Sequence, residues 1–329
     1  MSDVFSARQI EVPQQQEHGG VFPLVFAASA ASDPGDAFAW LAAQRESLLD
    51  QVSRHGAVLF RDFGVNDAEQ FDRFVRALDL PNFTYADSLS NAVRINMTDR
   101  VFTANEAPPD VGIFLHHEMA QTPIFPSRLF FYCEQAAAQA GQTPLCRSDA
   151  LYNALREALP AFVDRCEQLG VKYSNTMPAS DDHQSGQGRS WRSTLGAQQR
   201  DDAERKLQEL GYSWEWLADE SLAVTSPVLP AVRQLHDGRK VFFNQLIAAY
   251  LGWADSHKAL RFGDDSAMDQ DAMQRASDIA DALTFDLAWQ SGDVALVDNH
   301  TVMHGRRPFK GTRRVLVSLV ADAGDAFVV

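Results

Sequence analysis

The chain of 329 residues lacks the features that mark membrane, secreted and nucleic-acid-binding proteins. No apolar run approaches the roughly 18 residues that a membrane-spanning helix needs. Residues 1–9 contain no basic region followed by an apolar stretch, so we expect no secretory signal. Lys and Arg number 29 against 44 Asp and Glu, and the net charge of −15 repels phosphate backbones and anionic lipids. We therefore expect neither nucleic acid nor a membrane surface as a partner.

Cysteine is also scarce, and its placement points to a reducing compartment. The chain contains Cys133, Cys146 and Cys166, which cannot all pair and have no close metal-ligand spacing. Structural disulfides are rare in the cytoplasm, so this usage predicts a cytoplasmic protein. The nine histidines are then the richest supply of reactive side chains.

Glycine-rich phosphate-binding loops are absent as well: the sequence has neither a GxGxxG motif nor a P-loop. Helices and strands do not alternate regularly, which disfavours a doubly wound sheet. Apolar periodicity predicts helices at 36–54, 67–79, 147–170, 198–211 and 267–284 and strands at 57–61, 128–133, 293–298 and 313–320. Strands so far apart must share one sheet system, so we predict an α+β fold with a β-sandwich or jelly-roll core and flanking helices.

The domain organisation follows from composition. Residues 1–20 are polar and predict a flexible lead-in, and residues 21–329 predict a single domain with a helical insertion around 147–285. Within that insertion, the polar segment 177–192 is a candidate lid with Gly186 and Gly188 as candidate hinges. Its composition is equally typical of a disordered loop.

The strongest local signal is the run Leu-His-His-Glu-Met at residues 115–119. In an extended chain His116 and Glu118 project to the same face, whereas His117 points away. A third metal ligand can come from residues 298–306, where either His300 or His304 would serve. Two histidines and one carboxylate that leave other positions open are the arrangement of non-haem Fe(II) oxygenases.

A pair of arginines opens the last predicted strand. Burying the guanidinium of Arg313 or Arg314 without an anionic partner would be costly, and its donors match a carboxylate. The partner can be an acidic residue of the chain or a carboxylate co-substrate near the metal.

Several short segments, in the same order along residues 22–321, resemble segments of a known protein family. They are 55–63 (HGAVLFRDF), 114–119 (FLHHEM), 128–133 (RLFFYC), 140–145 (AGQTPL), 188–191 (GRSW), 241–245 (VFFNQ) and 298–306 (DNHTVMHGR). With them the chain resembles the taurine-dioxygenase-related family of Fe(II)/2-oxoglutarate oxygenases. The branch it resembles most contains clavaminate synthase and the syringomycin-type aspartyl hydroxylases. The resemblance implies a double-stranded β-helix, or jelly-roll, as the core of an oxygenase domain.

The resemblance also implies roles for individual residues. His116, Glu118 and His304 would bind iron, which leaves His300 outside the ligand set. Thr143 would contact 2-oxoglutarate. Arg314 would clamp a carboxylate of this co-substrate, with Arg313 as the alternative because the register of the short loop is open.

Two positions narrow the chemistry that the resemblance implies. Taurine dioxygenase has a further arginine four residues after the clamp, where this chain has Ser318, which disfavours taurine as the substrate. Related halogenases have a small residue in place of the carboxylate ligand. Glu118 therefore favours hydroxylation, desaturation or epoxidation over chlorination.

The expected activity is hydroxylation of an amino acid or amino-acid-derived metabolite, free or tethered to a carrier protein. It would consume O2 and 2-oxoglutarate with Fe(II) and release succinate and CO2. Arg306 and Asn244 are candidate substrate contacts; salt bridging and capping are their respective alternatives. Two other functions use the same motifs: a Zn(II)-dependent hydrolase and a non-catalytic jelly-roll binding protein.

Overall fold

The computed structural model describes residues 5–29, 34–84, 88–90, 94–104, 107–181, 188–253, 255–321 and 327, which form a mixture of helices and strands. The helices are α1 (Pro34–Ala43), α2 (Arg45–His55), α3 (Ala68–Ala77), α4 (Ser148–Ala158), α5 (Pro160–Leu169), α6 (Trp191–Leu195), α7 (Arg200–Glu209), α8 (Leu246–Gly252), α9 (Ser256–Ala259) and α10 (Gln270–Ala282). The strands are β1 (Ala7–Gln9), β2 (Gln16–Glu17), β3 (Val21–Phe22), β4 (Leu24–Ala28), β5 (Ala57–Arg61), β6 (Phe102–Thr103), β7 (Ile113–His116), β8 (Arg128–Gln135), β9 (Gln139–Ala140), β10 (Thr143–Arg147), β11 (Val171–Met177), β12 (Ser213–Trp216), β13 (Leu222–Thr225), β14 (Arg233–Gln234), β15 (Lys240–Val241), β16 (Leu260–Phe262), β17 (Thr284–Leu287), β18 (Val294–Asp298), β19 (Val302–Arg306), β20 (Phe309–Lys310) and β21 (Arg314–Val320). Among the described residues, no helix is long and apolar enough to cross a membrane.

Two sheets organise the core. The main sheet has seven strands in the order β1-β4-β5-β18-β8-β21-β6, and only β4 and β5 run parallel in it. The second sheet has four antiparallel strands in the order β17-β10-β19-β7. Both sheets therefore pair strands that lie far apart in the sequence, as the spacing of the predicted strands requires.

The two sheets share one apolar layer, and helices cover their outer faces. Leu59, Leu129 and Val297 of the main sheet pack in one buried cluster with Leu145 and Phe285 of the second sheet. Helices α1 to α3 contribute to a cluster with the opposite face of the main sheet. Helices α4, α5, α8 and α10 do the same for the second sheet. Strands such as β18 are thus buried on both faces, which explains their continuous apolar runs.

Most of the helices lie between two neighbouring strands of the second sheet. β10 and β17 pair directly, yet α4 to α10 and a further sheet, β12-β13-β11-β16, lie between them in the chain. The helical insertion expected around 147–285 covers this stretch of the chain and stays a prediction as a unit of the domain. In the candidate lid, β11 ends at Met177 and α6 begins at Trp191; Gly188 is described, whereas Gly186 lies outside the described residues.

The segment expected as a flexible lead-in, residues 1–20, contains strands β1 and β2, and its residues 1–4 lie outside the described part. Strand β1 pairs with β4 at the edge of the main sheet, with Ala7 opposite Ala28 and Gln9 opposite Phe26. Phe5 is buried, and its ring packs against the ring of Phe63. The polar sequence of β1 reflects an edge strand with partly exposed side chains rather than disorder.

One buried amide ties the segment after β7 to the turn between β18 and β19. The side-chain Oδ1 of Asn299 accepts a hydrogen bond from the Glu118 N–H at 2.8 Å. Its Nδ2 donates to the carbonyl oxygens of Glu118 and Pro126 at 3.1 and 2.7 Å. The backbone carbonyl of Asn299 also lies 2.5 Å from Nδ1 of His117. Asn299 thus sets where Glu118 lies relative to β19.

Asn299→Ala is predicted to lower the free energy of unfolding by about 3 kcal/mol, because it leaves buried backbone groups without partners. Urea denaturation followed by circular dichroism measures this change. Asn66→Ala is the matched control, since Asn66 is exposed and bonds only locally, to Gly64 and Gln70; its effect should stay within about 0.5 kcal/mol. Equal effects of the two substitutions would contradict this role of Asn299.

Candidate metal centre and co-substrate cavity

Three candidate metal ligands converge between the two sheets. His116 ends β7 and lies directly opposite His304 of β19, and Glu118 follows two residues later. Glu118 Oε2 lies 3.7 Å from His116 Nε2 and 3.5 Å from His304 Nε2. One ligand atom from each residue lies within 4.8 Å of the other two. Atoms bound at about 2.1 Å to a shared ion are about 3–3.5 Å apart, so this group can hold one metal ion.

The chemical state of these side chains also suits a metal. Nδ1 of His116 lies 2.8 Å from the Phe114 carbonyl, and donation to that carbonyl leaves the Nε2 lone pair facing the other two residues. Burial lowers the pKa of His304 to about 4. Burial alone would raise the pKa of Glu118, but its contacts with His116 and His304 and the charge of Arg94 hold it well below its usual range. A neutral imidazole and an ionised carboxylate are the forms that bind metals.

The other histidines of segments 114–119 and 298–306, His117 and His300, lie apart from this group. Nδ1 of His300 is 3.3 Å from Asp298 Oδ1, and its ring packs against Phe327. His117 is fully buried against Phe243 on the far side of the strand, as the alternation of an extended chain predicts. Of the alternatives His300 and His304, only His304 shares a centre with His116 and Glu118.

A cavity of about 520 Å³, partly open to solvent, adjoins the three candidate ligands. Its walls combine arginines with apolar side chains. Besides the ligands they are Arg94, Ala104, Ile113, Phe131, Thr143, Gly305, Arg306, Arg313, Val315 and Val317. Thr143 and Leu145 are two positions apart on β10, so their side chains project from the same side of the strand. Both face the layer between the sheets. The cavity is thus an unfilled part of that layer.

The structure places the two clamp candidates, Arg313 and Arg314, on opposite sides of the cavity wall. Arg313 lines the cavity, where its Nε donates to the Gly141 carbonyl at 2.9 Å and its Nη2 to Thr143 Oγ1 at 3.2 Å. Arg314 is exposed and pairs with Glu134 at 2.8 Å, outside this cavity. The reason is strand alternation. Every second side chain of an extended chain faces the same side, so Arg313 faces the cavity together with Val315 and Val317. Burial and the nearby charge of Arg306 lower the pKa of Arg313 to about 10, so it stays charged at neutral pH.

The two candidate substrate contacts have different surroundings. Arg306 lines the cavity, and its Nη2 donates to the carbonyls of Pro108 and Val111, each at 2.7 Å. Asn244 is not among the residues that line this cavity. Its Nδ2 donates to the Ala231 carbonyl and its Oδ1 accepts from the Leu246 N–H at the start of α8. Asn244 thus bonds to backbone groups at Ala231 and at the start of α8 and does not line this cavity.

Arg94 is a cavity residue that the sequence did not single out. Its side chain is 10% exposed, and its Nη2 lies 3.8 Å from Glu118 Oε1. It belongs to none of the segments that carry the family resemblance. No periodicity or motif marks it, so only the fold brings it to the metal centre.

Comparisons with known proteins agree with this geometry. A family model described as taurine catabolism dioxygenase TauD, TfdA family matches residues 20–320, which confirms the resemblance carried by the motifs. A clavaminate synthase-like protein of Arabidopsis thaliana is 38% identical over 320 residues, covering 94% of this chain and 96% of that protein. The dapdiamide synthesis protein DdaC of Enterobacter agglomerans is 28% identical over 291 residues, covering 83% and 84%.

A solved structure supports the fold. The PvcB protein of Pseudomonas aeruginosa superposes with a TM-score of 0.57 at 14% identity, covering 98% of this chain and 93% of that one. Together, the match along most of the sequence and the His-Glu-His group beside an arginine-lined cavity lead to one conclusion. The chain belongs to the TauD, TfdA family and is a non-haem dioxygenase that depends on Fe(II), 2-oxoglutarate and O2.

Proposed function

We propose that the protein hydroxylates an unactivated C–H bond of an amino acid or amino-acid-derived metabolite and releases succinate and CO2. The observation that carries this proposal is the cavity between the sheets, which has the His-Glu-His group at one end and the Arg313–Thr143 pair in its wall. Two relatives are named for clavaminate and dapdiamide, which supports a small natural-product substrate. The proposed substrate is a free metabolite or one tethered to a carrier protein.

We assign His116, Glu118 and His304 as the iron ligands. Oε2 of Glu118 faces both histidines, whereas Oε1 faces Arg94, so the carboxylate offers one oxygen to the ion. Bound iron would supply the activation of O2 and the oxidation of the C–H bond. A carboxylate ligand at position 118 occupies the place that a halide would need, which supports hydroxylation over chlorination.

We assign Arg313 and Thr143 to the distal carboxylate of 2-oxoglutarate. Thr143 Oγ1 accepts hydrogen bonds from Trp289 Nε1 at 2.9 Å and from Arg313 Nη2 at 3.2 Å. With two donors already directed at this oxygen, its own O–H is left to donate to a third group. A carboxylate in the cavity would receive that O–H together with a charged guanidinium, which is a strong combination.

The remaining walls would keep water from the reaction. Ile113, Phe131, Val315 and Val317 line the cavity with apolar surface. Such a lining strengthens the electrostatic contacts of the charged groups beside it. Among the described residues that line the cavity, the ionisable side chains are those of the proposed metal ligands and the arginines, in keeping with a reaction whose chemistry the cofactors supply.

We propose that the two facing sheets form the double-stranded β-helix of a single oxygenase domain, which extends over residues 21–329 and also includes β1. The shared apolar layer and the pairing of strands that are distant in the sequence support it. We further propose that the protein acts in the cytoplasm, because Cys133, Cys146 and Cys166 are all free and buried.

A zinc hydrolase or a binding protein would have no evident use for the Arg313–Thr143 pair.

The metal assignment predicts that His116→Ala and Glu118→Ala each weaken Mn(II) binding by more than about 100-fold, because each removes a ligand. Electron paramagnetic resonance of free Mn(II) measures the affinity, and succinate formation with Fe(II) should be lost in parallel. His257→Ala is the control, since His257 is exposed on α9. Unchanged Mn(II) affinity in either ligand variant would refute the assignment.

The co-substrate assignment predicts that Arg313→Gln weakens 2-oxoglutarate binding by about 10- to 100-fold through loss of a charged donor. Calorimetric titration of the Mn(II)-loaded protein measures this constant. Arg314→Gln is the matched control because it removes the same charge from the neighbouring residue, and it should change the constant less than about twofold. The reverse order of the two effects would restore Arg314 as the clamp.

The activity itself is tested by screening amino acids and their derivatives for oxygen consumption with Fe(II) and 2-oxoglutarate supplied. We expect a substrate to raise oxygen uptake and succinate release together and to gain one oxygen atom, as mass spectrometry would show. Turnover of a compound without O2 or 2-oxoglutarate would instead favour a hydrolase.

A further inference from the structure

A small apolar cluster, which we call the aromatic cluster, packs against the segment between β7 and β8 that carries Glu118. Its buried members are Ala120, Leu235, Val241, Phe243 and Phe327, and Phe125 packs against them. Ala120 and Phe125 belong to the Glu118 segment itself. None of the buried members belongs to the larger clusters that fill the layers around the two sheets. The aromatic cluster is therefore packed as a separate unit.

Phe327 joins the parts of this cluster. It lies after β21, is 2% exposed and forms an isolated antiparallel bridge with Leu235. Its ring centroid lies 5.1 Å from that of Phe243 and 6.2 Å from that of Phe125. The ring of His300 meets it edge to face, with the centroids 5.0 Å apart. One side chain thus contacts three rings from three distant parts of the sequence.

One of these contacts leads to His117, the residue before Glu118. The ring centroid of Phe243 lies 4.6 Å from that of His117. The two residues after Phe243 hold the backbone of His117. The Asn244 carbonyl accepts from the His117 N–H at 3.3 Å, and Gln245 Nε2 donates to the His117 carbonyl at 2.9 Å. A shift of Phe243 would therefore be passed to the backbone next to Glu118.

The other two contacts lead to Asn299, whose side-chain amide binds the backbone of Glu118. His300 is the next residue after Asn299. Pro126, which follows Phe125, accepts a hydrogen bond from Asn299 Nδ2 at 2.7 Å. The aromatic cluster thus supports Glu118 from two sides, through His117 and through Asn299.

We propose that Phe327 is a positioning residue for the metal centre and holds the Glu118 segment where the carboxylate can share an ion with His116 and His304. It acts through Phe243, Phe125 and His300 rather than as a ligand. A group binds an ion most tightly when surrounding residues already fix its orientation. Without the ring, the segment gains freedom, and ordering it again would use part of the binding free energy. The inference rests on the iron ligands assigned in the proposed function.

The Mn(II) affinity tests this role without turnover. We expect Phe327→Ala to weaken Mn(II) binding by about 10-fold, as the loss of a second-sphere partner does. Electron paramagnetic resonance of free Mn(II) measures the affinity. Phe5→Ala is the matched control, because Phe5 is also buried but packs against Trp40 and Phe63 in the cluster on the opposite face of the main sheet. Both variants should melt at a lower temperature, whereas Phe5→Ala should leave the Mn(II) affinity within about threefold of wild type.

A second pair of variants applies if Phe327→Ala does not fold. Phe327→Leu keeps an apolar side chain but loses the ring contacts, and we expect it to weaken Mn(II) binding by about threefold or more. Phe5→Leu should change the affinity less than about twofold. Equal Mn(II) affinities of Phe327→Leu and Phe5→Leu would count against the proposal on their own.

The outcomes are distinct. The proposal is overturned if folded Phe327→Ala binds Mn(II) within about threefold of wild type. It is also overturned if Phe5→Ala weakens binding as much as Phe327→Ala, since a general loss of stability would then explain both. Failure of the wild type to bind Mn(II) would instead refute the metal assignment of the proposed function, and with it the premise of this inference.

Discussion

The site depends on one pairing, that of β7 with β19, which sets His116 opposite His304. Neither strand has a second candidate ligand that could replace its histidine, since His117 faces away and His300 lies in the preceding turn. The amide of Asn299 adds the third member by holding the backbone of Glu118 to that turn. Two hydrogen-bonded strands and one buried side chain therefore bring together residues from distant parts of the sequence. The flanking helices matter to the site because they bury the outer faces of the sheets and so hold this pairing in place.

The molecule as a whole carries a negative net charge, whereas arginines predominate among the charged side chains that line its cavity. The chain has a formal net charge of −15, yet Arg94, Arg306 and Arg313 line the space beside the metal centre. A negative outer field slows the approach of small anions, and screening at physiological salt limits its reach to about 8 Å. Within the cavity the apolar walls strengthen local attraction, so a dicarboxylate that has entered meets a strongly positive environment. Selection among small molecules thus takes place inside the cavity rather than at the surface.

Much of the fold could be predicted from the sequence, and the exceptions have physical causes. Strand β5 begins and ends as predicted, at residues 57–61, because a uniformly apolar run between a glycine and charged residues has few alternatives. β1 was missed because an edge strand can be polar, and β12 because its side chains are half exposed. For the site, the motifs yielded His116, Glu118 and Thr143. They did not decide between Arg313 and Arg314. Because residues on both faces of β21 are buried, the sequence shows no alternation of polar and apolar residues that would distinguish the two faces. Arg94 belongs to no motif, so only tertiary structure reveals it.

The long insertion between β10 and β17 has a consequence for how the protein is made. These strands are neighbours in space, but α4 to α10 are synthesised between them, so the second sheet closes late and through contacts of high sequence separation. During translation His116 and Glu118 leave the ribosome well before His304 exists. A nascent chain therefore offers at most two of the three proposed ligands, and the full affinity for iron is expected only when synthesis is nearly complete. The order of the strands thereby delays metal capture until the surrounding cavity can form.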